Sequence, residues 1–333
     1  MVTSLRSVAV LRPTPRPIAE GDLGPDCYWR AVCEYPGATP ADMAVEAGKA
    51  ALAAADADVD SARWLLHAGV GPQGSQGWPV HHHIQNGVVG GHGNALELKQ
   101  NCAGGLTSWL LASRLLDGSG YAICTGADNW SWSDRLATCR AVGGEPFSDV
   151  AYATVISRRG GFARLMGSGT ASCPDLADDW RIHDSFWQNT GTDDFYNAYT
   201  RATALRSDES LRQSFQMFGH AINCALADAG ISAQYVDYFV PQGSDTGQPF
   251  RSLANIFGLP WSEELHRHTL DHGYLGVSTQ ADGLVFLART GGLKKDSIVL
   301  LLAAEYQLSA TAVVLGVVSP PQVAAEGMMQ VIS

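Results

Sequence analysis

The chain runs twice through one scheme of short apolar strands and amphipathic helices, and this repetition limits the folds open to it more than any single motif. In the first series the spacing predicts a strand at Ser7–Leu11, a helix at about Pro40–Ala55, strands at Ala62–Val70 and Leu96–Gln100, a helix beginning at Cys102, and strands at Tyr121–Gly126 and Asp149–Ser157. Thr39, Pro40 and Asp42 supply an N-cap, a first-turn proline and a first-turn acid, so the start of that first helix is well specified. After a polar stretch near 174–208 the pattern predicts helices at Leu211–Ala229, Phe250–Phe257 and Thr279–Arg289. It predicts strands at Tyr235–Val240, Ser297–Ala304 and Ala312–Val318. Each series closes on paired apolar strands. The expectation is an α/β protein of two alike halves, 1–170 and 171–333, forming a duplicated α/β/α/β/α five-layer sandwich with loops of both halves meeting over Cys102. The stretch between the series carries Trp180, Phe186, Trp187, Phe195, Tyr196 and Tyr199, which fit either a flap or tunnel wall or a packed surface excursion.

Composition removes several classes of function. A chain of 333 residues with 46% hydrophobic residues has ample core, and its formal charge of −11 with no offsetting basic segment argues against general nucleic-acid binding. No run of eighteen apolar residues occurs, and residues 1–6 lead into a strand rather than a signal-peptide core, so a cytoplasmic protein without membrane association is expected. The seven cysteines, at 27, 33, 102, 124, 139, 173 and 224, include no C-x-x-C pair, so neither a disulfide framework nor a zinc ribbon is indicated. His81, His82, His83 and His92 lack ligand spacing for a metal. The glycines at 69–71 and 87–93 do not form a dinucleotide fingerprint, and no cofactor is expected.

The chemistry concentrates at Leu96–Leu106, where an alternating strand-like run stops at Cys102 and helical spacing begins. A thiol in the first turn of a helix faces unpaired N–H groups and the positive end of the dipole, which together favour the thiolate by about 0.3–2 kcal/mol. This is only partial activation from a reference pKa near ~8.5. Gly104 and Gly105 would let another backbone, or a thioester, come close.

These residues carry a resemblance. Asn101-Cys102-Ala103-Gly104-Gly105, Tyr238-Phe239-Val240-Pro241 and Val299–Ala303 resemble the thiolase-fold ketosynthase III enzymes over most of the chain. Gly273–Gln280 looks closest to a subgroup in antibiotic and polyketide pathways, some of whose members transfer an acyl group from a carrier protein or coenzyme A to a hydroxyl or amine. The resemblance implies the thiolase fold, a homodimer, no cofactor beyond the thioester donor, and Cys102 as the residue that takes up the acyl group. It also shows where the chain departs. Gln242 stands where ordinary members place a histidine after Val-Pro, and Val277 stands where they place an asparagine, so both groups that stabilise a decarboxylation enolate are missing. The acyltransferase-like subgroup carries a histidine and an aspartate at positions held here by Tyr274 and Thr279. Residues two apart in an extended loop share a side, so His272 with Asp282 is a candidate displaced pair, against a reading of His272 as a surface or interface residue. One histidine of 81–83 is a further candidate base, because the family places that segment near the pocket. The glycine-rich oxyanion turn of the family falls on Glu305-Tyr306-Gln307, where backbone donors would still serve.

The sequence therefore predicts an acyltransferase using a Cys102 acyl-enzyme, with Gln242, Thr279 and Tyr306 as oxyanion or pocket residues and His272 and Tyr274 as further catalytic candidates. The acyl donor would be a carrier-protein or coenzyme A thioester, and the acceptor a small natural-product molecule. A priming ketosynthase, or a catalytically idle partner subunit of a polyketide synthase, are the alternatives. An acidic carrier would need a local basic patch, for which Arg201, Arg206, Arg212 and Arg251 are candidates.

Overall fold

The computed structural model describes residues 3–24, 27–75, 77–142, 144–181, 194–243 and 250–333. In chain order the first half contains β1 (Ser4–Leu11), β2 (Pro15–Pro17), β3 (Ala31–Cys33), α1 (Pro40–Ala54), β4 (Ala62–Ala68), α2 (Val80–Val89), β5 (Asn94–Leu98), α3 (Gly104–Leu115), β6 (Tyr121–Asp128), α4 (Ala137–Val142) and β7 (Val150–Ser157). The second contains β8 (Ala163–Ser172), α5 (Asp194–Ala204), α6 (Asp208–Ala229), β9 (Tyr238–Val240), α7 (Phe250–Phe257), α8 (Glu263–Leu270), α9 (Thr279–Arg289), β10 (Ile298–Glu305), β11 (Ser309–Val317), β12 (Val323–Glu326) and β13 (Met329–Ile332).

The principal sheet has the order β5-β4-β6-β7-β1-β8-β11-β10-β9. In the first half β4 is parallel to β6, and β7 is antiparallel to both β6 and β1. In the second, β9 is parallel to β10, and β11 is antiparallel to both β10 and β8. The set β4, β6, β7, β1 thus recurs as β9, β10, β11, β8, which is the duplication read from the pattern. The halves join where Ser4 and Leu5 of β1 pair with Arg164 and Ala163 of β8. The division expected near residue 170 falls inside β8, and we propose that it lies in the 158–162 turn instead.

Side-chain alternation builds the five layers. Val299, Leu301 and Ala303 of β10 point into a central core with Leu106, Trp109 and Ala112 of α3 and Ala281, Leu284 and Val285 of α9. Leu300, Leu302 and Ala304 point the other way, onto Phe218, Ala221 and Ala225 of α6. On the first half Ala151, Ala153 and Val155 of β7 face Ala44, Ala47 and Ala51 of α1, while Tyr152 and Ile156 face the centre. The central helices α3 and α9 are therefore sandwiched between the two halves of the sheet, and both begin in loops that face each other. Thr39 caps α1 as expected, its Oγ1 accepting the Asp42 N–H at 3.1 Å. Among the described residues no helix is long and apolar enough to cross a membrane.

Candidate active site

Cys102 sits in a short 3-10 turn, Asn101–Ala103, that leads directly into α3. The side chain is fully buried. Burial drives its thiol far above the ordinary value, the carboxyls of Asp128, Glu145 and Glu305 push the same way, and a hydrogen bond from the Tyr274 hydroxyl opposes them. Desolvation thus outweighs the helix-terminus effect expected from the sequence, and the resting group is a thiol.

Tyr274 belongs to a loop that zips onto the strand entering β7. Its N–H donates to Pro146 O at 2.8 Å, and its carbonyl accepts from Ser148 N–H at 3.0 Å. The phenol is aimed by Gln242, at the end of β9, whose Nε2 donates to the Tyr274 hydroxyl at 3.0 Å and to Gly276 O at 2.9 Å. Gln242 Oε1 accepts the Ala304 N–H at 3.2 Å and Gln280 Nε2 at 3.1 Å, which fixes the amide so that its NH2 faces Tyr274. Gln280 is anchored in turn on Leu302 O at 2.9 Å. A chain of donors therefore runs from Gln280 through Gln242 and Tyr274 to the Cys102 sulfur. Tyr274→Phe removes its last link, and alkylation of Cys102 by iodoacetamide at fixed pH, followed by peptide mass spectrometry, is expected to slow about tenfold, from the 1.5–3 kcal/mol typical of a hydrogen bond to a charged group.

The turn Glu305-Tyr306-Gln307 joins β10 to β11 and lies against the Cys102 loop. Asn101 Nδ2 donates to Glu305 Oε1 at 2.9 Å, Ser309 Oγ to Glu305 Oε2 at 3.0 Å, and Gln100 Nε2 to Ser309 Oγ at 3.0 Å. Tyr306 has φ +49 and Asn101 φ +40, so each of the two loops that meet here holds one residue in the left-handed region, at roughly 1–3 kcal/mol each. The Tyr306 ring stacks on Trp180 at 3.9 Å and meets Tyr199 edge-on at 6.1 Å. Of the aromatic stretch between the halves, Trp180 and Tyr199 thus wall the site. Phe186 and Trp187 lie outside the described residues.

A small cavity opens here, lined by Glu145, Phe147, Tyr199, Gln242, Phe250, Tyr274 and Tyr306, among others. Glu145 and Tyr199 are functional candidates that sequence reasoning missed. Tyr199 donates to Glu145 Oε2 at 2.6 Å, and burial raises the Glu145 carboxyl above its ordinary value although Tyr199 and Arg206 lower it. The local sequence, Gly144-Glu145-Pro146-Phe147-Ser148-Asp149, holds no signal that sets Glu145 apart. Asp128, at the end of β6, accepts the Val70 and Gly71 N–H groups at 2.7 and 2.9 Å, and burial raises it to about 7.

Cys102, Tyr274, Gln242 and Tyr306 are brought together. Thr279, the first residue of α9, sits behind Gln242: its hydroxyl accepts Gln242 Nε2 at 3.5 Å and donates to Gly276 O at 3.0 Å. It also lines a second small cavity with Pro241, His266, His268, Leu275 and Asp282. The displaced pair of His272 with Asp282 does not form. His272 Nδ1 lies 2.7 Å from His268 O, and burial, with the charge of Arg12 and His268, lowers its imidazole to about 4. Asp282 is instead bound by buried Arg12 and by His268, whose Nε2 lies 2.7 Å away. Burial would raise the Asp282 carboxyl, but Arg12 and His268 outweigh it and hold it well below the usual range. A depressed carboxyl contributes stability above its unfolded value, near ~3.9, that is lost as the pH falls further. Asp282→Asn is therefore expected to destabilise the protein by about 3–5 kcal/mol at pH 7, with the gap to wild type closing below about pH 4 in urea titrations.

His81, His82 and His83 lie on α2, facing Glu97, Gln85 and Asp42, and His92 faces Asp60. Among the described residues no cluster of ligands could hold a metal ion. The suggested basic patch is not assembled from Arg212 and Arg251: the first is paired with Glu209 on its own helix, and the second with Glu263 at 2.9 Å.

No protein-family model matches the sequence. A beta-ketoacyl-acyl-carrier-protein synthase III of Bradyrhizobium sp. is 27% identical over 273 residues, covering 78% of this chain and 79% of the relative. Among solved structures, ChlB3, named an acyltransferase, superposes with a TM-score of 0.86 at 21% identity, over 96% of this chain and 99% of its own. The 3-oxoacyl-(acyl carrier protein) synthase III of Xanthomonas oryzae superposes with a TM-score of 0.74 at 15% identity, over 95% and 99%. The chain is similar to ketosynthase III enzymes and has the thiolase fold. What it is similar to are enzymes that transfer or condense acyl groups.

Proposed function

We propose that this protein is an acyltransferase working in two half-reactions. The Cys102 sulfur attacks an acyl thioester, forming a Cys102 thioester and releasing the donor thiol. An acceptor hydroxyl or amine then attacks that thioester and restores the cysteine. Backbone N–H groups at the head of α3 and in the Tyr306 turn would hold the tetrahedral oxyanion. The observation that carries this reading is the chain of donors ending on Cys102: Gln242 and Tyr274 occupy the places of imidazoles, and both serve to hold sulfur rather than to take a proton from substrate. With Val277 in place of the asparagine, the amide that would hold an enolate is missing, which weighs against decarboxylative condensation. Because Cys102 is fully buried, acylation requires the aromatic wall to shift. The donor is taken to be a carrier-protein or coenzyme A thioester and the acceptor a small natural product, handled by a cytoplasmic homodimer without a cofactor.

Intact-protein mass spectrometry after incubation with acyl and malonyl thioesters tests this. The expected result is a mass gain from simple acyl donors with no carbon dioxide release from malonyl ones. Carbon dioxide release would favour the priming ketosynthase, and absence of any acyl mass the idle subunit.

A further inference from the structure

The acyl-enzyme reading leaves one step without an agent: the acceptor must lose a proton when it attacks. Tyr274 cannot take it, since burial and the neighbouring Cys102 and Glu145 hold its phenol protonated far above the ordinary range. His272 is turned to the carbonyl of His268, and among the described residues no histidine lines the cavity beside Tyr274. One carboxyl does line it, that of Glu145.

We propose that Glu145 is the general base of the second half-reaction and that the acceptor group is a hydroxyl. The argument is geometric first. Glu145 shares the cavity with Tyr306 and with Tyr274, whose hydroxyl is hydrogen-bonded to the Cys102 sulfur, so one side chain separates the carboxyl's cavity from the nucleophile. Its position is fixed on both sides: Tyr199 donates to Oε2 at 2.6 Å, and its own carbonyl accepts the Thr138 hydroxyl at 2.5 Å. The loop that carries it is zipped to Tyr274 through Pro146 and Ser148. The walls, Phe147, Tyr199, Phe250 and Tyr306, are aromatic, and a carboxylate in such surroundings is a stronger base than in water. An amine attacks as its free base and gains little from such a group, whereas a hydroxyl is a weak nucleophile until its proton is being removed. The proton balance closes: the acceptor O–H passes its proton to the Glu145 carboxylate, the new C–O bond forms, the C–S bond to Cys102 breaks, and the same proton, handed on, restores the Cys102 thiol.

This inference rests on the acyl-enzyme reading, and its test separates the two. Cys102 is acetylated with p-nitrophenyl acetate, and loss of the acetyl mass from the Cys102 peptide is followed with benzyl alcohol or with hydroxylamine, in wild type and Glu145→Gln. The glutamine keeps the acceptor for Tyr199. The expected result is a slowing of alcohol-dependent deacylation of at least thirtyfold in Glu145→Gln, with the hydroxylamine rate unchanged, since hydroxylamine needs no base. Equal alcohol rates in the two proteins overturn the proposal. So does an equal loss with hydroxylamine, which would mark a structural role. Failure of wild-type Cys102 to acetylate overturns the acyl-enzyme itself, and the base with it.

Discussion

Cys102→Ala is expected to lose all acyl mass gain and to lower turnover by a factor on the order of 10³ or more, while the protein stays folded. The stability side follows from size. Alanine deletes one buried atom from a site held by many other contacts, which costs roughly 1 kcal/mol. The activity side follows from chemistry, because the other hydroxyl groups beside the cavity are poor nucleophiles: the phenols of Tyr199, Tyr274 and Tyr306 are held far above their ordinary values. Cys102→Ser sharpens the test. A serine hydroxyl needs a base aimed at it, and the group aimed at position 102 is the Tyr274 hydroxyl, which donates. Serine should therefore fail almost as completely as alanine. Peptide mass spectrometry of the acylated protein and a melting curve check both halves. Turnover retained in either variant would show that the acyl group travels by another route.

The repeated strand and helix pattern was legible because the core strands of each half bury both faces, so β6, β7, β10 and β11 read as largely apolar runs. β8 was not legible for a physical reason. Its sequence, Ala163–Ser172, carries Gly167 and Gly169 where α6 lies directly on the strand: an added Cβ would stand 2.4 Å from Ala225 O at the first and 2.2 Å from Ala221 O at the second. Close helix packing there requires residues that erase the strand signal. The helix α2 is hard to see in the sequence because three consecutive histidines fill its first turn and blur its apolar spacing. In the site, the cysteine at the strand–helix junction was readable from local spacing alone, and the family pattern pointed to Gln242, Tyr274 and Tyr306. The role of Tyr274 was not readable, since it depends on a contact across 172 positions of sequence, from Tyr274 back to Cys102. Glu145 was missed for the same kind of reason. Its carboxyl matters because Tyr199 and the loop of Tyr274 enclose it, and neither is near it in the chain. The proposed pairing of His272 with Asp282 failed on a third long-range contact, that of Arg12 with Asp282, which no local pattern reveals.

Gly105→Ala is expected to destabilise the protein by at least about 3 kcal/mol and to lower activity as well. The reason is a close approach of two backbones. A Cβ at Gly105, in the first turn of α3, would stand 2.1 Å from Val277 O and 3.1 Å from its carbonyl carbon. No carbon approaches a carbonyl oxygen so closely, and backbone cannot swing aside as a side chain can, so α3 or the 276–278 turn must move. Neither is free to do so. The Gly105 carbonyl accepts the Ser108 hydroxyl at 2.6 Å and the Tyr152 hydroxyl at 3.1 Å, while Gly276 O accepts Gln242 Nε2. A shift of the turn would drag on Gln242 and through it on Tyr274, so the donor chain on Cys102 would loosen together with the fold. Gly118→Ala is the matching control, because a Cβ there meets nothing within 4 Å. For a chain of this length about 3 kcal/mol corresponds to a fall in Tm of roughly 4 °C. Gly105→Ala should show at least that, with slower iodoacetamide capture of Cys102, and Gly118→Ala neither. A Gly105→Ala protein with wild-type melting and capture would mean that α3 and the 276–278 turn meet less closely than the 2.1 Å approach requires.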